Sequence, residues 1–344
     1  MVWGLRCHDR RRPAGSAEER TRTRERALRK TYLEIVGVEK MDISKAHILT
    51  TYFNPIRYKS RLRVHNRFMK YWRKAGIEPW VVEVAFGNRP FQVTDPCNPR
   101  HLSISSLNEL WHKESSLNLL VQRLPRDWKY VLVVDNDVRC MESGKKWVTE
   151  TVQELQHFEI VQMFQNALDM GPFGQTLHKH DGFVYSYITE KKFSRMYGGW
   201  HPGYAWAYTR KAWNAIGGLI DGAILGSGDD HMAKSLIGRG KDSLPTGLSQ
   251  EYIDMVDIWE ERAREIKKDI GYVTTTIVHD FHGPKSARKY WSRWDIIKSC
   301  KYNPERDIKR DWQGLYQLND NKPKLRDLIR GYLRSRREDS NDID

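Results

Sequence analysis

Residues 130–138 read YVLVVDNDV, an apolar run rich in β-branched side chains that ends in two aspartates. Such a run predicts a buried strand, and Asp135 and Asp137 follow its end at positions i and i+2. Carboxylates at this spacing can converge on one hard divalent cation, and Mg²⁺ or Mn²⁺ bound in this way commonly takes further ligands from substrate phosphates. The stretch therefore indicates a nucleotide-diphosphate site. The alternative is an Asp-Asn turn that caps the next element.

Strands and helices alternate on the N-terminal side of this stretch. Strands are predicted at residues 46–53 and 80–86, and helices at residues 60–75 and 107–124. This alternation is typical of βαβ units, whose right-handed crossovers build a mainly parallel sheet with ligands at the C-terminal ends of the strands. We therefore expect an α/β fold with a Rossmann-like, mainly parallel sheet flanked by helices.

The C-terminal half is less regular, and we expect it to form the side of the site that binds the acceptor substrate. Its pattern predicts strands at residues 160–164 and 272–278 and helices at residues 210–216, 230–237 and 250–269.

Between these segments, residues 200–206 read WHPGYAW, which is too rich in Gly and Pro for a simple core strand. We interpret this segment as a loop that lines the acceptor side through Trp200, Tyr204 and Trp206, because aromatic faces can stack on sugar rings. Core packing is the alternative for several of the 13 Trp.

A second acidic pair lies in the glycine-rich segment GSGDDH at residues 226–231. Asp229 and Asp230 could bind an acceptor hydroxyl, and one of them could act as a general base, a role worth roughly 10²- to 10⁴-fold in rate. The alternative is that an aspartate caps the helix that follows and has no catalytic role.

Two histidines follow the last predicted strand in the segment VHDFHG at residues 278–283. Neutral imidazole binds borderline metals such as Mn²⁺, so a histidine here could complete the Asp137 site. We prefer His282 to His279, although packing or hydrogen bonding is the usual fate of a histidine. Four nearby cations could balance a pyrophosphate or form a solvated basic face: Lys285, Arg288, Lys289 and Arg293.

Basic residues predominate in the chain of 344 residues, with 58 Lys and Arg against 44 Asp and Glu and a formal net charge of +14. The first 30 residues hold ten basic and four acidic side chains with little to bury, so residues 1–40 are predicted to be a disordered basic tail. We expect one main domain over residues 41–320 and a charged helix and tail over residues 321–344. A basic arm can hold nucleic acid or another anionic surface.

The cellular compartment is predicted from the absence of paired cysteines, of a spanning segment and of a secretory signal. The four cysteines, Cys7, Cys97, Cys140 and Cys300, are scattered without a C-x-x-C pair, which predicts reduced thiols. No apolar run approaches the roughly 18 residues of a spanning helix, and the first five residues are too short for a secretory signal. We expect a cytoplasmic protein without a transmembrane segment, or one in the host cytoplasm if the source is viral.

Taken in order, these segments resemble the GT-A nucleotide-sugar glycosyltransferases, particularly phage- and virus-encoded members and, more distantly, the galactosyltransferase-like group. The resemblance spans roughly residues 46–318. The blocks that carry it are HILTTYFNPIRYKSRLRVHNRF (47–68), VVEVAFGNRPFQVT (81–94), LWHKESSLNLLVQRLPRDWKYVLVVDNDV (110–138), IVQMFQNALDMGP (160–172), HPGYAWAYTRKAWNAIGGL (201–219), GSGDDHMA (226–233) and HDFHGPKSARKYWSRWDI (279–296).

The resemblance implies a metal-dependent hexosyltransferase with a UDP-sugar donor. Asp135 and Asp137 would hold Mn²⁺ or Mg²⁺ with the donor diphosphate, and His282 would be the C-terminal metal ligand. The positions expected on the donor side are Lys113, Asn118, Asp135, Lys285 and Arg288, of which Lys113 and Asn118 could instead be scaffold residues.

The same resemblance places Asp229 and Asp230 where inverting relatives bind the acceptor and supply the base. The family loop is often Trp-Gly-Gly-Glu-Asp, whereas this chain reads Ser-Gly-Asp-Asp at residues 227–230, so the choice between the two aspartates stays open. Our hypothesis is that Asp230 deprotonates an acceptor hydroxyl that attacks the anomeric carbon, with inversion by single displacement.

Several functions compete at this point. The acceptor could be a hydroxymethylated base in DNA, which the positive charge would suit, or a protein or glycan. Nucleotidyl transfer also uses paired carboxylates, but it normally adds a third carboxylate and a phosphate-binding glycine loop after the first strand, and residues 53–55 offer none. A non-enzymatic nucleic-acid-binding protein is supported by charge alone, without a recognised binding motif.

Overall fold

The computed structural model describes residues 41–189 and 199–344. The predicted tail at residues 1–40 lies outside the described residues. No helix in the described part of the chain is long and apolar enough to cross a bilayer. The described cysteines, Cys97, Cys140 and Cys300, are free thiols.

The described strands are β1 Ala46–Phe53, β2 Trp80–Phe86, β3 His101–Ser106, β4 Tyr130–Val134, β5 Val138–Cys140, β6 Ile160–Gln162, β7 Asn166–Met170, β8 Thr176–Gly182, β9 Trp200–His201, β10 Ala205–Thr209, β11 Ile270–Tyr272, β12 Thr276–His279, β13 Ile308–Arg310 and β14 Tyr316–Leu318. The described α-helices are α1 Lys59–Lys74, α2 Lys113–Val121, α3 Gly144–Glu154, α4 Phe183–Ile188, α5 Arg210–Ile216, α6 Gly228–Leu236, α7 Gln250–Ala263, α8 Trp294–Ser299 and α9 Pro323–Ser335. Short 3₁₀ turns lie at Ile43–Lys45, Gly240–Ser243, Arg264–Ile266 and Ser286–Arg288.

The central sheet has seven strands in the order β11-β6-β10-β4-β1-β2-β3. Strand β1 pairs in parallel with both β4 and β2, and the β2–β3 and β11–β6 pairs are also parallel. Strand β10 alone runs antiparallel to its neighbours β4 and β6. The expectation of an α/β fold with a mainly parallel sheet is therefore confirmed.

Both faces of this sheet are covered, because successive strand residues point to opposite sides. On one face Leu49 and Val133 pack with Leu117 and Leu120 of α2. On the other, Leu132 and its neighbours pack with α1 and α3 side chains. This arrangement explains why residues 80–86 and 130–134 are almost continuously apolar.

A second, five-stranded sheet in the order β5-β12-β7-β8-β9 adjoins the central one. Strand β5 begins immediately after the Asp135–Asp137 turn and pairs antiparallel with β12, so that Val138 lies opposite His279. This pairing brings the predicted metal-binding aspartates next to the histidines, although about 140 residues of chain separate them.

Residues 200–206 do not form the loop we expected. The first two residues form β9 (Trp200–His201), the next three make a turn, and the last two begin β10 (Ala205–Thr209), an internal strand of the central sheet. Gly and Pro are confined to the turn, whereas residues 205–209 are the apolar run AWAYT. Trp206 therefore packs in the core, and the prediction that residues 200–206 form a loop was wrong, while the prediction that Tyr204 faces the acceptor stays a prediction.

Two helix predictions were too long, the strand predicted at residues 272–278 is interrupted between Tyr272 of β11 and Thr276 of β12, and several strands were missed, among them β3, β5, β7, β8 and β10. The segment predicted as a helix at residues 107–124 is helical only over α2, because the N–H of Trp111 bonds to the carbonyl of Ile224 and holds residues 107–112 outside the helix. Helix α7 ends at Ala263 and continues as a 3₁₀ turn to Ile266. Strand β3 was missed because its sequence, HLSISS, is mostly polar.

The C-terminal segment packs against the rest of the molecule. Helix α9 buries Leu325, Ile329, Tyr332 and Leu333 in a core cluster that also contains Leu110 and Tyr252. The domain boundary that we placed at residue 320 stays a prediction.

Candidate active site

The candidate site is a cleft at the C-terminal ends of β1, β4 and β12. Its walls include side chains from the β4–β5 turn, from the loop after β12, from the start of α6 and from α1. A parallel sheet ends several strands at one edge, so segments distant in sequence meet there.

Three buried side chains converge at the centre of the cleft: Asp137, His279 and His282 offer ligand atoms that all lie within 4.8 Å of one another. Asp137 Oδ2 lies 3.0 Å from His282 Nε2, and Asp137 Oδ1 lies 3.9 Å from His279 Nε2. One carboxylate and two imidazoles are a donor set that suits Mn²⁺ and similar borderline cations. Both histidines therefore join the candidate metal site, whereas the sequence led us to prefer His282.

Two arginines show that this donor set attracts positive charge. Arg61 Nη1 lies 2.9 Å from Asp137 Oδ2 and 3.3 Å from His282 Nε2. Arg288 Nη2 lies 2.9 Å from His282 Nε2. Burial alone would raise the pKa of Asp137, but His279, His282 and Arg61 hold it well below its usual range. Burial and the two arginines lower the pKa of His282, which keeps its imidazole neutral as a ligand must be.

Asp169, on β7, orients His279. Its Oδ1 lies 3.0 Å from His279 Nδ1 and accepts a 2.8 Å hydrogen bond from Tyr204 Oη. Its Oδ2 lies 2.6 Å from His180 Nε2 and contacts the Lys285 ammonium. Despite burial, His180, His279 and Lys285 hold the pKa of Asp169 far below its usual range. A buried carboxylate behind a histidine fixes the ring and its tautomer, which turns His279 Nε2 toward Asp137.

Asp135 points elsewhere. Its Oδ1 lies 2.5 Å from Lys113 Nζ, the first residue of α2, and it is not among the side chains whose donor atoms converge with the histidines. Burial, together with the Asp137 carboxylate, raises the pKa of Asp135 even though Lys113 opposes that shift. The two aspartates of the motif therefore have different partners: Asp135 pairs with Lys113, whereas Asp137 contacts the two histidines and Arg61.

The second acidic pair also lines this cleft. Ser227 precedes α6 with a φ of 80°, and Asp229 and Asp230 occupy the first turn of that helix. Asp230 Oδ2 lies 2.9 Å from Lys234 Nζ, while Asp230 Oδ1 is buried without a hydrogen-bond partner among the described residues. Burial raises the pKa of Asp230 to about 6, although Lys234 opposes the shift. A carboxylate with this pKa is mostly ionised at pH 7 yet basic enough to accept a proton.

Position and contacts separate the remaining predicted residues into two groups. Tyr204, Lys285 and Arg288 line the cleft. Trp200 and Trp206 are buried in the core and do not line it. Asn118 faces another surface, where it bonds to the backbone of Leu219. We therefore leave Asn118, Trp200 and Trp206 out of the proposed site.

Arg61, Asp169, His201 and Glu338 are site residues that the sequence analysis did not single out. Arg61, Asp169 and Glu338 lie outside the motifs that we singled out, whereas His201 lies within the segment at residues 200–206 but was not itself selected. His201 stacks on Tyr204 with ring centroids 3.7 Å apart. Tyr204 itself has a φ of 76°, unusual for a residue other than glycine.

No family model matches the chain, and no match was found among curated proteins. Among solved structures, the chain is similar to a Drosophila β-1,4-galactosyltransferase 7 mutant in complex with manganese, UDP-Gal and xylobiose, with 10% identity, a TM-score of 0.34 and coverage of 81% of this chain and 97% of that one. The catalytic domain of the Drosophila enzyme with xylobiose gives 11% identity, the same TM-score of 0.34 and the same coverages of 81% and 97%. Rv0371c from Mycobacterium tuberculosis gives 10% identity, a TM-score of 0.26 and coverage of 49% and 74%. We base the functional proposal on the cleft residues.

Proposed function

We propose that this protein is a metal-dependent glycosyltransferase that moves a sugar from a nucleotide-sugar donor, a UDP-sugar, to an acceptor hydroxyl. The observation that carries the proposal is that one cleft contains both the converging donor atoms of Asp137, His279 and His282 and the acidic pair Asp229 and Asp230. The first group suits a diphosphate donor, and the second suits activation of a hydroxyl.

The donor side of the proposal depends on charge. Asp137, His279 and His282 would hold a divalent cation such as Mn²⁺ or Mg²⁺, whose charge would neutralise the negative charge of the departing diphosphate. Arg61, Lys113, Lys285 and Arg288 also line the cleft. Fixed cations in a partly buried site stabilise the charge that develops as a phosphate leaving group departs. We assign these side chains to binding the diphosphate.

On the acceptor side, we propose that Asp230 is the general base and Asp229 an acceptor-binding group. Within the part of the chain that the structure describes, Asp230 Oδ1 has no hydrogen-bond partner, and it would take the proton of the acceptor hydroxyl. The hydroxyl oxygen then forms a bond to the anomeric carbon while the bond from that carbon to the diphosphate oxygen breaks and its electron pair leaves with the nucleoside diphosphate. A single displacement of this kind inverts the anomeric centre.

Donor binding can be tested by the thermal stability of the full chain with UDP-, GDP- and dTDP-sugars, each with and without Mn²⁺. A ligand that binds only the folded state raises the melting temperature. We expect a UDP-sugar to raise it when Mn²⁺ is present, and Asp137→Asn to lose that effect.

The matched control is Asp307→Asn. Asp307 is also a buried aspartate in an ion pair, with Lys322 Nζ at 2.6 Å, but it lies outside the cleft. Asp307→Asn should therefore retain the metal-dependent increase. Equal increases in the wild type and in Asp137→Asn would contradict the metal assignment.

The acceptor and the stereochemistry are tested by turnover. We include hydroxymethylated DNA, protein and glycan hydroxyls as acceptors, and the DNA substrate also tests the phage- or virus-type prediction. The proposal predicts product of inverted anomeric configuration by NMR, whereas retention would rule out single displacement.

A further inference from the structure

The last residues of the chain cross the loop that carries His282. A side-chain carbon at Gly283 would lie 2.7 Å from Glu338 Cα and 2.8 Å from the carbonyl oxygen of Arg337. Gly283 also has a φ of 88°, which glycine adopts at little cost. The two backbones therefore touch at a position where a larger residue would push them apart.

This C-terminal segment is anchored to the site elements on both sides of Glu338. Asp339 accepts hydrogen bonds from the N–H groups of Lys59 at 3.0 Å and Ser60 at 2.7 Å, at the start of α1. Asp344 accepts one from the N–H of Ser286 at 2.7 Å, in the loop after β12. The segment thus links the helix that carries Arg61 to the loop that carries His282.

Glu338 lies between these anchors and is 6% exposed. Its Oε2 lies 3.5 Å from His282 Nδ1 and 3.5 Å from Arg61 Nε, and its Oε1 lies 2.7 Å from Arg336 Nε. His282 turns its other nitrogen, Nε2, to Asp137. Glu338 therefore lies at the other ring nitrogen of His282, farther away than the 3.0 Å that separates Asp169 from His279.

We infer that Glu338 is a positioning residue of the metal centre, which orients His282 toward Asp137 and holds Arg61 against the same carboxylate. The inference rests on the proposed metal-dependent function, and it makes the C-terminal segment part of the site. A carboxylate that accepts the distal N–H of a ligating histidine fixes the ring and raises its basicity, and loss of such a partner typically costs about 10- to 100-fold in metal affinity.

The test compares Glu338→Gln with the wild-type chain by Mn²⁺ titration, in which electron paramagnetic resonance reports free Mn²⁺. We expect a dissociation constant about 10- to 100-fold weaker for Glu338→Gln. Co²⁺ bound in place of Mn²⁺ should also show a changed visible spectrum, since its absorption depends on ligand geometry. An affinity and a spectrum equal to those of the wild type would overturn the inference.

Glu109→Gln is the matched control. Glu109 is also 6% exposed, but its ion-pair partners are Arg330 and Arg334 of α9, with Arg334 Nη1 at 2.9 Å, whereas those of Glu338 include His282 and Arg61. We expect Glu109→Gln to bind Mn²⁺ like the wild type even if its melting temperature falls. If both variants lose affinity equally, the effect comes from general loosening of the C-terminal segment, and the inference is wrong.

Two further outcomes are separable. If Glu338→Gln shows no cooperative thermal transition, Glu338→Asp is measured in its place, because it keeps the negative charge but moves the carboxylate away from His282. We expect Glu338→Asp to bind Mn²⁺ more weakly than the wild type. An unchanged Mn²⁺ affinity would contradict the inference. If the wild-type chain binds neither Mn²⁺ nor Co²⁺, the proposed function fails at its metal site, and the inference fails with it.

Discussion

Asp135 and Asp137 are two residues apart, yet their side chains have different partners. Lys113 pairs with Asp135, whereas His282, His279 and Arg61 surround Asp137. The spacing alone predicted that both aspartates bind the metal. The difference arises because the turn after β4 directs one carboxylate to α2 and the other to the strand pair β5–β12.

Substitution of the two aspartates should therefore have unequal effects. We expect Asp137→Asn to weaken Mn²⁺ binding by more than about 100-fold, and Asp135→Asn by about 10-fold or less, because a neighbouring group contributes less than a ligand. Isothermal titration with Mn²⁺ measures both constants. Equal losses would mean that Asp135 is a ligand, as the sequence pattern suggested.

The decrease of kcat/KM at low pH should report protonation of the Asp230 carboxylate. Its pKa is raised from 3.8 to about 6, and a general base acts in its ionised form, so kcat/KM should fall about tenfold per pH unit below pH 6. Saturating Mn²⁺ at each pH separates this titration from protonation of the histidines.

Asp230→Asn provides the complementary observation. It should lower kcat by about 10²- to 10⁴-fold and leave Mn²⁺ affinity unchanged. An unchanged kcat in the variant would remove Asp230 from the mechanism and favour Asp229.

Sequence patterns found the residues that lie in motifs, and tertiary structure supplied the others. Asp137, Asp230 and the two histidines stand at the ends of predicted strands or the start of a predicted helix, so their types and positions indicated chemistry. Arg61, Asp169 and Glu338 are common residue types on unremarkable segments. Their position in the site depends on contacts between residues 76, 110 and 56 positions apart in the chain, namely Arg61 with Asp137, Asp169 with His279 and Glu338 with His282, which local periodicity does not encode.

At the scale of elements, the turn between β9 and β10 shapes the acceptor side. A side-chain carbon at Gly203 would lie 2.4 Å from Asp229 Oδ2 and 3.2 Å from His201 Cε1. We interpreted residues 200–206 as a single loop because Gly and Pro are frequent there. Their local effect is instead limited to the turn, and the apolar residues beyond it enter the central sheet as β10.

Gly203→Ala should displace the Asp229 carboxylate. We expect a lower kcat/KM for transfer to the acceptor with an unchanged Mn²⁺ dissociation constant, because the metal-binding side chains are not among the atoms that the new methyl group meets. Steady-state kinetics and a metal titration measure the two quantities.

Gly331→Ala is the control for that substitution. Gly331 lies within α9, and a side-chain carbon there would meet nothing within 4 Å. Replacing a helical glycine by alanine should stabilise the protein by about 0.5–1 kcal/mol without affecting transfer. Full acceptor activity in Gly203→Ala would show that this turn does not position Asp229.

The strands β1, β2 and β4 were predicted accurately from their apolar runs, whereas β10, which is also apolar, was missed because Gly and Pro precede it. The bounds of β1, β2 and β4 agree with the pattern because buried parallel strands are uniformly apolar. Strand β3 is mostly polar, and α2 is shortened by a backbone bond from Trp111 to a distant carbonyl. Sequence periodicity cannot report such long-range bonds.

At the scale of the whole molecule, the C-terminal residues join the core and the site. Deleting residues 321–344 would remove four buried α9 side chains, Leu325, Ile329, Tyr332 and Leu333, together with Glu338. Each fully buried large apolar side chain contributes about 1.5–3 kcal/mol, and the net stability of a domain is only about 5–15 kcal/mol. We expect the shortened chain to lack a cooperative thermal transition by calorimetry. A shortened chain that melts cooperatively and binds Mn²⁺ would contradict this expectation and support the predicted boundary at residue 320.

The most direct test of the account is release of UDP from UDP-sugars by the full chain, with and without Mn²⁺ and in the absence of acceptor. We predict slow hydrolysis that requires Mn²⁺, persists in Asp307→Asn and is lost in Asp137→Asn. Two results would contradict the proposal that this cleft is a metal-dependent glycosyltransferase site. One is that no UDP-, GDP- or dTDP-sugar is turned over. The other is turnover that depends on neither Mn²⁺ nor Asp137.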